Sequence, residues 1–460
     1  MFNKSVFIFR RDFRLDDNIT LNEALKNSET VIPVFIFTPE QIDKNKYKSH
    51  NCIQFMVESL IELDAELRKL GSKLFYFYDD YQTVVKSLIK EGVDAIYFNM
   101  DYTKYSVNRD KTIATICKEN GVECISHEDV MLNNMGTVVN GSGKPFMKFT
   151  SYFNAAKNLP VKKPLGKNKY KNFYKNKNKL NKQSTKSLAS FIEKTNDLIH
   201  VRGGRTNALE KLKLIKNQKS YNTTRDSPSI STTNLSAYMK FGCVSIREVY
   251  YAFAAKLPKS NALFQQLFWR DFYYNIAFNY PHVFGGPLQQ KYEKLKWDNN
   301  KQLFNKWKTG TTGFPLVDAG MRQLITTGFM HNRARLVTSN FLIKVLRVNW
   351  LYGEQFYATQ LVDYDPSINN GNWQFNSSTG SSVQNYFASF NPWIQSFKHD
   401  KECIYIKKWI PELKDVPNKD IHTWNEQYNK YPNVKYPKPI TDYKAEIPKT
   451  LKMYNAVVKK

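Results

Sequence analysis

Five short runs of β-forming residues punctuate the first 130 residues: SVFIF at 5–9, VIPVFIF at 31–37, KLFYFY at 73–78, AIYFNM at 95–100 and VECIS at 122–126. Helical patterns separate them. In CIQFMVESLIELDAELRKLG, Phe55, Leu60, Leu63 and Leu67 recur at about the 3.6-residue helical period, and Gly71 follows as the stop. Strands alternating with helices dictate a parallel, doubly wound sheet covered on both faces. No strand is followed by G-x-G-x-x-G, which excludes an ordinary NAD domain. From about Leu209 onward the pattern turns helical, as in NALFQQLFWRDFYYNIAFNY and NRARLVTSNFLIKVLRV. A chain of 460 residues exceeds one ordinary core. The expected division is an α/β domain over 1–130, a Lys/Asn-rich linker over 131–205 and an all-helical domain over 206–460.

Charge bears on partners. A formal net charge of +27 points to a polyanion, because Lys and Arg that displace counterions from phosphates give sequence-independent affinity for nucleic acid. An AT-rich coding bias would also inflate Lys. Ten lysines and no acid fall between Lys162 and Lys186, a stretch that reads as a solvated connector. Cys52, Cys117, Cys124, Cys243 and Cys403 lie far apart with no C-x-x-C pair, so no metal site or iron–sulfur cluster is expected. The opening MFNKSVFIFRRDFRL puts its arginines after its apolar run, unlike a signal peptide, and no window is long enough for a membrane span. A soluble, intracellular monomer at DNA is the expectation.

Two stretches suggest chemistry. In TTNLSAY, Thr232, Thr233 and Ser236 read as the opening of a helix whose N–H groups and hydroxyls can hold a diphosphate. In VDYDPSINNGNWQF, Asp363 and Asp365 are too costly to bury unless paired or hydrogen-bonded.

The chain resembles the photolyase/cryptochrome family of flavoproteins, and within it the class I pyrimidine-dimer photolyases. The resemblance rests on RRDFRLDDN (10–18), TTNLSAYMKFGCVS (232–245), QLFWRDFYY (266–274), TGFPLVDAGMRQLITTGFMHNRAR (312–335), LVDYDPSINNGNWQ (361–374) and FNPWIQSFKHDKECIYIKKWIPEL (390–413). It implies FAD held in a helical cavity. Tyr221, Thr232, Thr233, Asn234, Leu235 and Ser236 would lie at its phosphates, with Arg270, Arg335, Asp363, Tyr364, Asp365 and Asn369 also binding it. Arg335 is the expected partner of Asp363, and Asn369 would face flavin N5, where a neutral amide can donate or accept. Trp373, Trp350 and Trp297 match the family's electron path. The implied substrate is DNA carrying a UV-induced pyrimidine dimer, flipped into a pocket of Arg225, Gln266, Trp269, Asn332, Arg333, Leu336, Phe375 and Gln395.

Three positions depart from the class I pattern. Gln266 stands where those enzymes carry Glu, Leu336 where they carry Met, and Phe375 where they carry a second pocket Trp. Gln at the first position is typical of (6-4) photolyases, which however need His where this chain has Asn332. Tyr105 and Ser106 fall where folate-binding relatives carry Asn-Glu, so a second, antenna chromophore stays unidentified. The runner-up function is a cryptochrome-type light-signalling protein; a (6-4) photolyase comes third.

Overall fold

The computed structural model describes residues 1–175, 179–381 and 385–458. The chain divides into two compact units: Met1–Thr195 with Val201–Lys219 and Thr233–Pro281, and Asn196–His200 with Ser220–Thr232 and His282–Lys460. Packing therefore divides the chain at points other than residues 130 and 205.

In the first unit the strands β1 (Phe2–Phe9), β2 (Ser28–Phe37), β3 (Phe75–Tyr78), β4 (Ala95–Asn99) and β5 (Glu123–His127) form one parallel sheet in the order β3-β2-β1-β4-β5. Each expected run is a strand. Val6, Phe7, Ile8 and Phe9 are all buried, the continuous apolar run of a strand covered on both faces. Helices α1 (Ile19–Asn27), α2 (His50–Lys69), α3 (Tyr81–Lys90) and α4 (Lys104–Glu119) connect the strands. Helix α2 starts at Ser49, whose hydroxyl accepts from the Cys52 N–H. It buries Phe55, Leu60, Leu63 and Leu67 as the spacing requires, and stops before Gly71 at φ +79°. Helices α5 (Ile246–Lys256) and α6 (Ala262–Asn279) belong to the same unit despite their later place in the chain.

The Lys-rich stretch is mostly exposed, yet it is anchored to the first unit at two buried residues; of it, residues 176–178 lie outside the described residues. Strand β3 meets β2 only at Val34–Phe37, which leaves the start of β2 without a strand on that side. Residues 172–174 take up the vacant ladder: Val31 N–H donates to Asn172 O at 3.0 Å, and Tyr174 N–H donates to Val31 O at 2.8 Å. Phe173 and Leu180 are buried there. Burying one such aromatic ring contributes roughly 2 kcal/mol, and the ladder bonds satisfy backbone groups that would otherwise be stranded. Composition registers the lysines and misses this pairing.

RRDFRLDDN supplies the interior of the first unit with charge. Arg14 and Arg247 both pair with Asp129, Arg247 also pairs with Asp17, and Ser245 Oγ donates to Asp17. The remaining Arg14 donors reach Gly242 O and Asp17 O. Ser245 and Glu248 form a capping box at the start of α5, and Arg205 pairs with Glu248 at 2.8 Å.

The second unit is helical. Helices α7 (Pro315–Thr327), α8 (Asn332–Asn340), α9 (Trp350–Gln360), α10 (Pro366–Ser377) and α11 (Pro392–His399) surround a core that includes Trp307, Phe341, Leu342, Trp350, Tyr357 and Trp373. Helix α8 runs on into a wider, π-type turn over Phe341–Val345. A Cβ at Gly353 would stand 2.2 Å from Trp373 Cη2, so only glycine lets α9 lie against that indole.

Candidate functional site

In the second unit the loop before α10 carries the paired acids. Asp363 accepts two hydrogen bonds from Arg335 Nη2, at 2.9 and 3.1 Å, and Arg335 Nε donates to Met330 O. The expected pair is formed. Asp365 instead caps a helix. Its Oδ1 accepts from the Ser367 and Ile368 N–H groups, and with Pro366 at the first helical position it starts α10. One turn on, Asn369 is buried, and its Nδ2 donates to both Glu354 O and Glu354 Oε1 at 3.0 Å. That fixes the amide's orientation. Asn369 Oδ1 then has no protein partner among the described residues and is open as an acceptor. Ser367 Oγ is also buried without a partner. The other amides of the motif are internal: Asn370 Nδ2 donates to Val283 O, and Asn372 Nδ2 to Ile368 O. Tyr364 is half-buried beside the core.

Helix α8 presents the basic part. His331 caps it through Nδ1, which accepts from the Arg333 N–H at 3.1 Å, so the ring proton sits on Nε2. That Nε2 is buried without a partner. Burial, with Arg335 next, pushes the His331 imidazole down to about 4. Asn332 is exposed and Leu336, one turn on, half-buried, so the two share a helix face. Arg333 is held by Asp226 at 2.7 Å. Arg225, beside Asp226, closes the short turn Tyr221–Thr224, where burial pushes the Tyr221 phenol up. Phe375 on α10 is half-buried, and Gln395 on α11 keeps a buried Oε1 without a partner.

Trp373 and Trp350 are buried and Trp297 is half-buried. Trp373 meets Tyr357 edge-on at 4.9 Å and Trp307 at 6.3 Å between ring centroids, while Trp297 meets Tyr454 at 6.4 Å. Tyr357 and Trp307, which carry no motif signal of their own, are packing neighbours of Trp373.

In the first unit the expected helix at Thr232 does not form. Asn234 is left-handed at φ +53°, which breaks the helical run, and the short helix begins at Ser236 after Leu235. Thr233 Oγ1 accepts from the Leu235 N–H at 3.4 Å, and Thr232 falls in the other unit. On α6, Gln266, Trp269 and Arg270 share a face at i, i+3 and i+4. Gln266 makes only a long bond to Ala262 O, 3.4 Å. Phe149 stacks on Trp269 at 3.6 Å, so one of the two indole faces offered by the sequence is already covered. Among the described residues, both hydrogen bonds of Arg270 leave from Nη1, to Val130 O and Asp271.

A second set lies where the strand order reverses between β1 and β4, the place where doubly wound sheets bind ligands. Arg10 pairs with Asp110 and lies 3.8 Å over the Phe98 ring; Arg109 shares Asp110, and Arg11 pairs with Asp101. The Nη2 atoms of Arg10 and Arg109 are both buried without partners. Burial, then the neighbouring Arg109, lowers Arg10 to about 10. Ser106 is occupied by Asp101 and Thr103, and Tyr105 is exposed. Among the described residues no cluster could hold a metal ion, and no helix is long and apolar enough to cross a membrane.

A parallel α/β layer followed by a helical region with open polar groups describes a two-part ligand-binding protein, and comparison with known proteins specifies which. Residues 263–456 match the FAD binding domain of DNA photolyase, and residues 5–167 match the DNA photolyase family. The chain belongs to the DNA photolyase family. It is 32% identical to the deoxyribodipyrimidine photo-lyase of Buchnera aphidicola subsp. Baizongia pistaciae, over 98% of each chain. With the deoxyribodipyrimidine photo-lyase of Escherichia coli it is 31% identical, again over 98% of both. An archaeal photolyase from Sulfolobus tokodaii, solved with two FAD molecules, superposes with a TM-score of 0.87 at 40% identity over 99% of this chain and 100% of that one. A class III photolyase from Agrobacterium tumefaciens gives 0.92 at 28% identity over 100% and 98%.

Proposed function

We propose that this protein is a deoxyribodipyrimidine photo-lyase that splits cyclobutane pyrimidine dimers in DNA under blue light. The observation that carries the reading is end-to-end similarity to named photo-lyases, including an FAD-binding match over the residues that bear the open polar groups. When bound, reduced FAD supplies the electron that light transfers to the dimer. Asn369 offers the flavin edge a fixed acceptor. Arg335 and Asp363 neutralise each other beside it, so neither charge is buried alone. Tyr221, Thr232, Thr233, Asn234, Leu235, Ser236 and Arg270 are our candidates for its phosphates and ribose, together with Asp365 and Tyr364. Trp297, Trp350 and Trp373 relay electrons inward during photoreduction. For the DNA, Arg225 and Arg333 are our candidates for phosphate contacts, and Gln266, Trp269, Asn332, Leu336, Phe375 and Gln395 our candidates for contact with the lesion.

Within the family we read the pocket as class I in kind, supported by the motif series and departing from it at Gln266, Leu336 and Phe375. The unpartnered Nη2 atoms of Arg10 and Arg109 support an anionic antenna chromophore in the first unit, a flavin nucleotide being one such molecule. The test is blue light on the purified, reduced protein with an oligonucleotide carrying one cyclobutane dimer. Thymines should be restored in light and not in darkness. Gln266→Glu should raise the yield per photon a few-fold, since a carboxyl can supply a proton that an amide cannot when charge develops on the base. No repair, despite reduced flavin and measurable lesion binding, would move the protein to the cryptochrome-type signalling reading. Repair of the (6-4) lesion alone would show that Asn332 does not exclude that chemistry.

A further inference from the structure

The ion pair between Arg333 Nη2 and Asp226 Oδ1, 2.7 Å long, joins an arginine that is 15% exposed to a carboxylate that is 41% exposed. Asp226 makes no other hydrogen bond among the described residues, so the fold asks nothing more of it. Arg333 is otherwise uncommitted through its side chain: its Nε is buried without a partner. Burial opposes the Asp226 charge, but the hydrogen bond from Arg333 and the charges of Arg333 and Arg225 hold its carboxyl below the usual range. It is therefore ionised at neutral pH. The two imidazoles nearby add no compensating charge, since burial and the neighbouring arginines lower both His331 and His399 to about 4. The local set is two arginines against one aspartate.

A pair whose carboxylate is solvent-exposed is easily exchanged for another anion. A guanidinium takes phosphate and carboxylate oxygens by the same geometry, so a DNA phosphate and Asp226 compete for one group. We infer that Asp226 is an internal counterion of Arg333 that competes with DNA phosphate and so restrains binding to DNA of any sequence. The inference rests on the reading of Arg333 as a DNA-binding residue. Removing the carboxylate frees one more cation to displace a counterion from DNA. That steepens the salt dependence by nearly one unit of the logarithmic slope.

The experiment is fluorescence anisotropy of an undamaged duplex and of the same duplex carrying one cyclobutane dimer, at two salt concentrations. The proteins are the wild-type, Asp226→Asn, Arg333→Ala and the double variant, each checked for bound flavin. Asp226→Asn should bind the undamaged duplex about 3- to 10-fold tighter at low salt, with the advantage shrinking about 3-fold on a fourfold increase in salt. In the Arg333→Ala background the same change should give no gain. Unchanged or weaker binding by flavin-loaded Asp226→Asn, or a full gain in the Arg333→Ala background, would overturn the inference. Asp226→Ser serves if the Asn variant fails to fold. A wild-type protein with no preference for the damaged duplex would count against the repair function instead, since the undamaged duplex alone tests the counterion.

Discussion

Two clusters of buried or half-buried charge, one around Asp129 in the first compact unit and one around Asp363 in the second, differ in how completely their hydrogen bonds are closed. In the first, Arg14, Arg247, Asp17 and Asp129 satisfy one another, and their spare donors end on the carbonyls of Asp17, Gly242 and Asp129. In the second, Arg335 and Asp363 are paired, yet Asn369 Oδ1 has no protein partner among the described residues, and His331 Nε2, Arg333 Nε and Ser367 Oγ are buried without one. Buried polar atoms are nearly always satisfied, because stranding one costs about 1–3 kcal/mol. The closed network needs nothing further; the open one leaves polar atoms that a ligand or water can satisfy. RRDFRLDDN and LVDYDPSINNGNWQ look equally functional as strings of charge, and only the geometry separates them.

The sharpest way to break this contrast is Asp129→Ala. It leaves Arg14 and Arg247 buried without their shared carboxylate, and losing one partner of a buried ion pair costs roughly 3–5 kcal/mol. A large fall in the thermal unfolding midpoint, or failure to fold, is expected. A variant as stable as wild-type would show that the network is not structural.

Next in size is a pH effect in the second unit. His331 titrates at about 4 in the folded protein against 6.5 ordinarily, so the unfolded chain binds the proton first as pH falls. The stabilisation is present above pH 6.5 and is lost progressively toward pH 4, the loss reaching roughly 3 kcal/mol at the acid end. His331→Asn keeps a side-chain acceptor at the helix start and removes the titration. Its urea midpoint should fall less than the wild-type's between pH 7 and 4.5. Equal slopes would mean that the imidazole is solvated and its Nε2 not stranded.

Much of the fold is legible in the sequence because it is periodic: five apolar runs became five strands, and the spacing of Phe55 to Leu67 became the buried face of α2. Residues 172–174 escaped because their pairing with β2 depends on the shortness of β3, which no local pattern encodes. The membership of α5 and α6 in the first unit is a long-range packing fact of the same sort. At the site, the Arg335–Asp363 pair was legible from two motifs of opposite charge. The helix expected at Thr232 failed because hydroxyl residues signal a cap without saying which residue turns left-handed; here Asn234 does. Phe149 over Trp269, Gly353 against Trp373 and Asp226 on Arg333 each join residues from separate parts of the chain. Residue type alone could not pair them.

The central claim is that the open groups of the second unit hold a flavin whose electrons arrive through Trp373. The direct measurement is the loss of oxidised-flavin absorbance under blue light with an external donor, for wild-type, Trp373→Phe and Trp307→Phe proteins carrying equal flavin. Trp307 is as buried as Trp373 and lies 6.3 Å from it, yet it has no place in the proposed path. The wild-type and Trp307→Phe proteins should photoreduce, and Trp373→Phe should be slower by at least about tenfold, a barrier increase of about 1.4 kcal/mol. Photoreduction of Trp373→Phe at the wild-type rate would contradict the account.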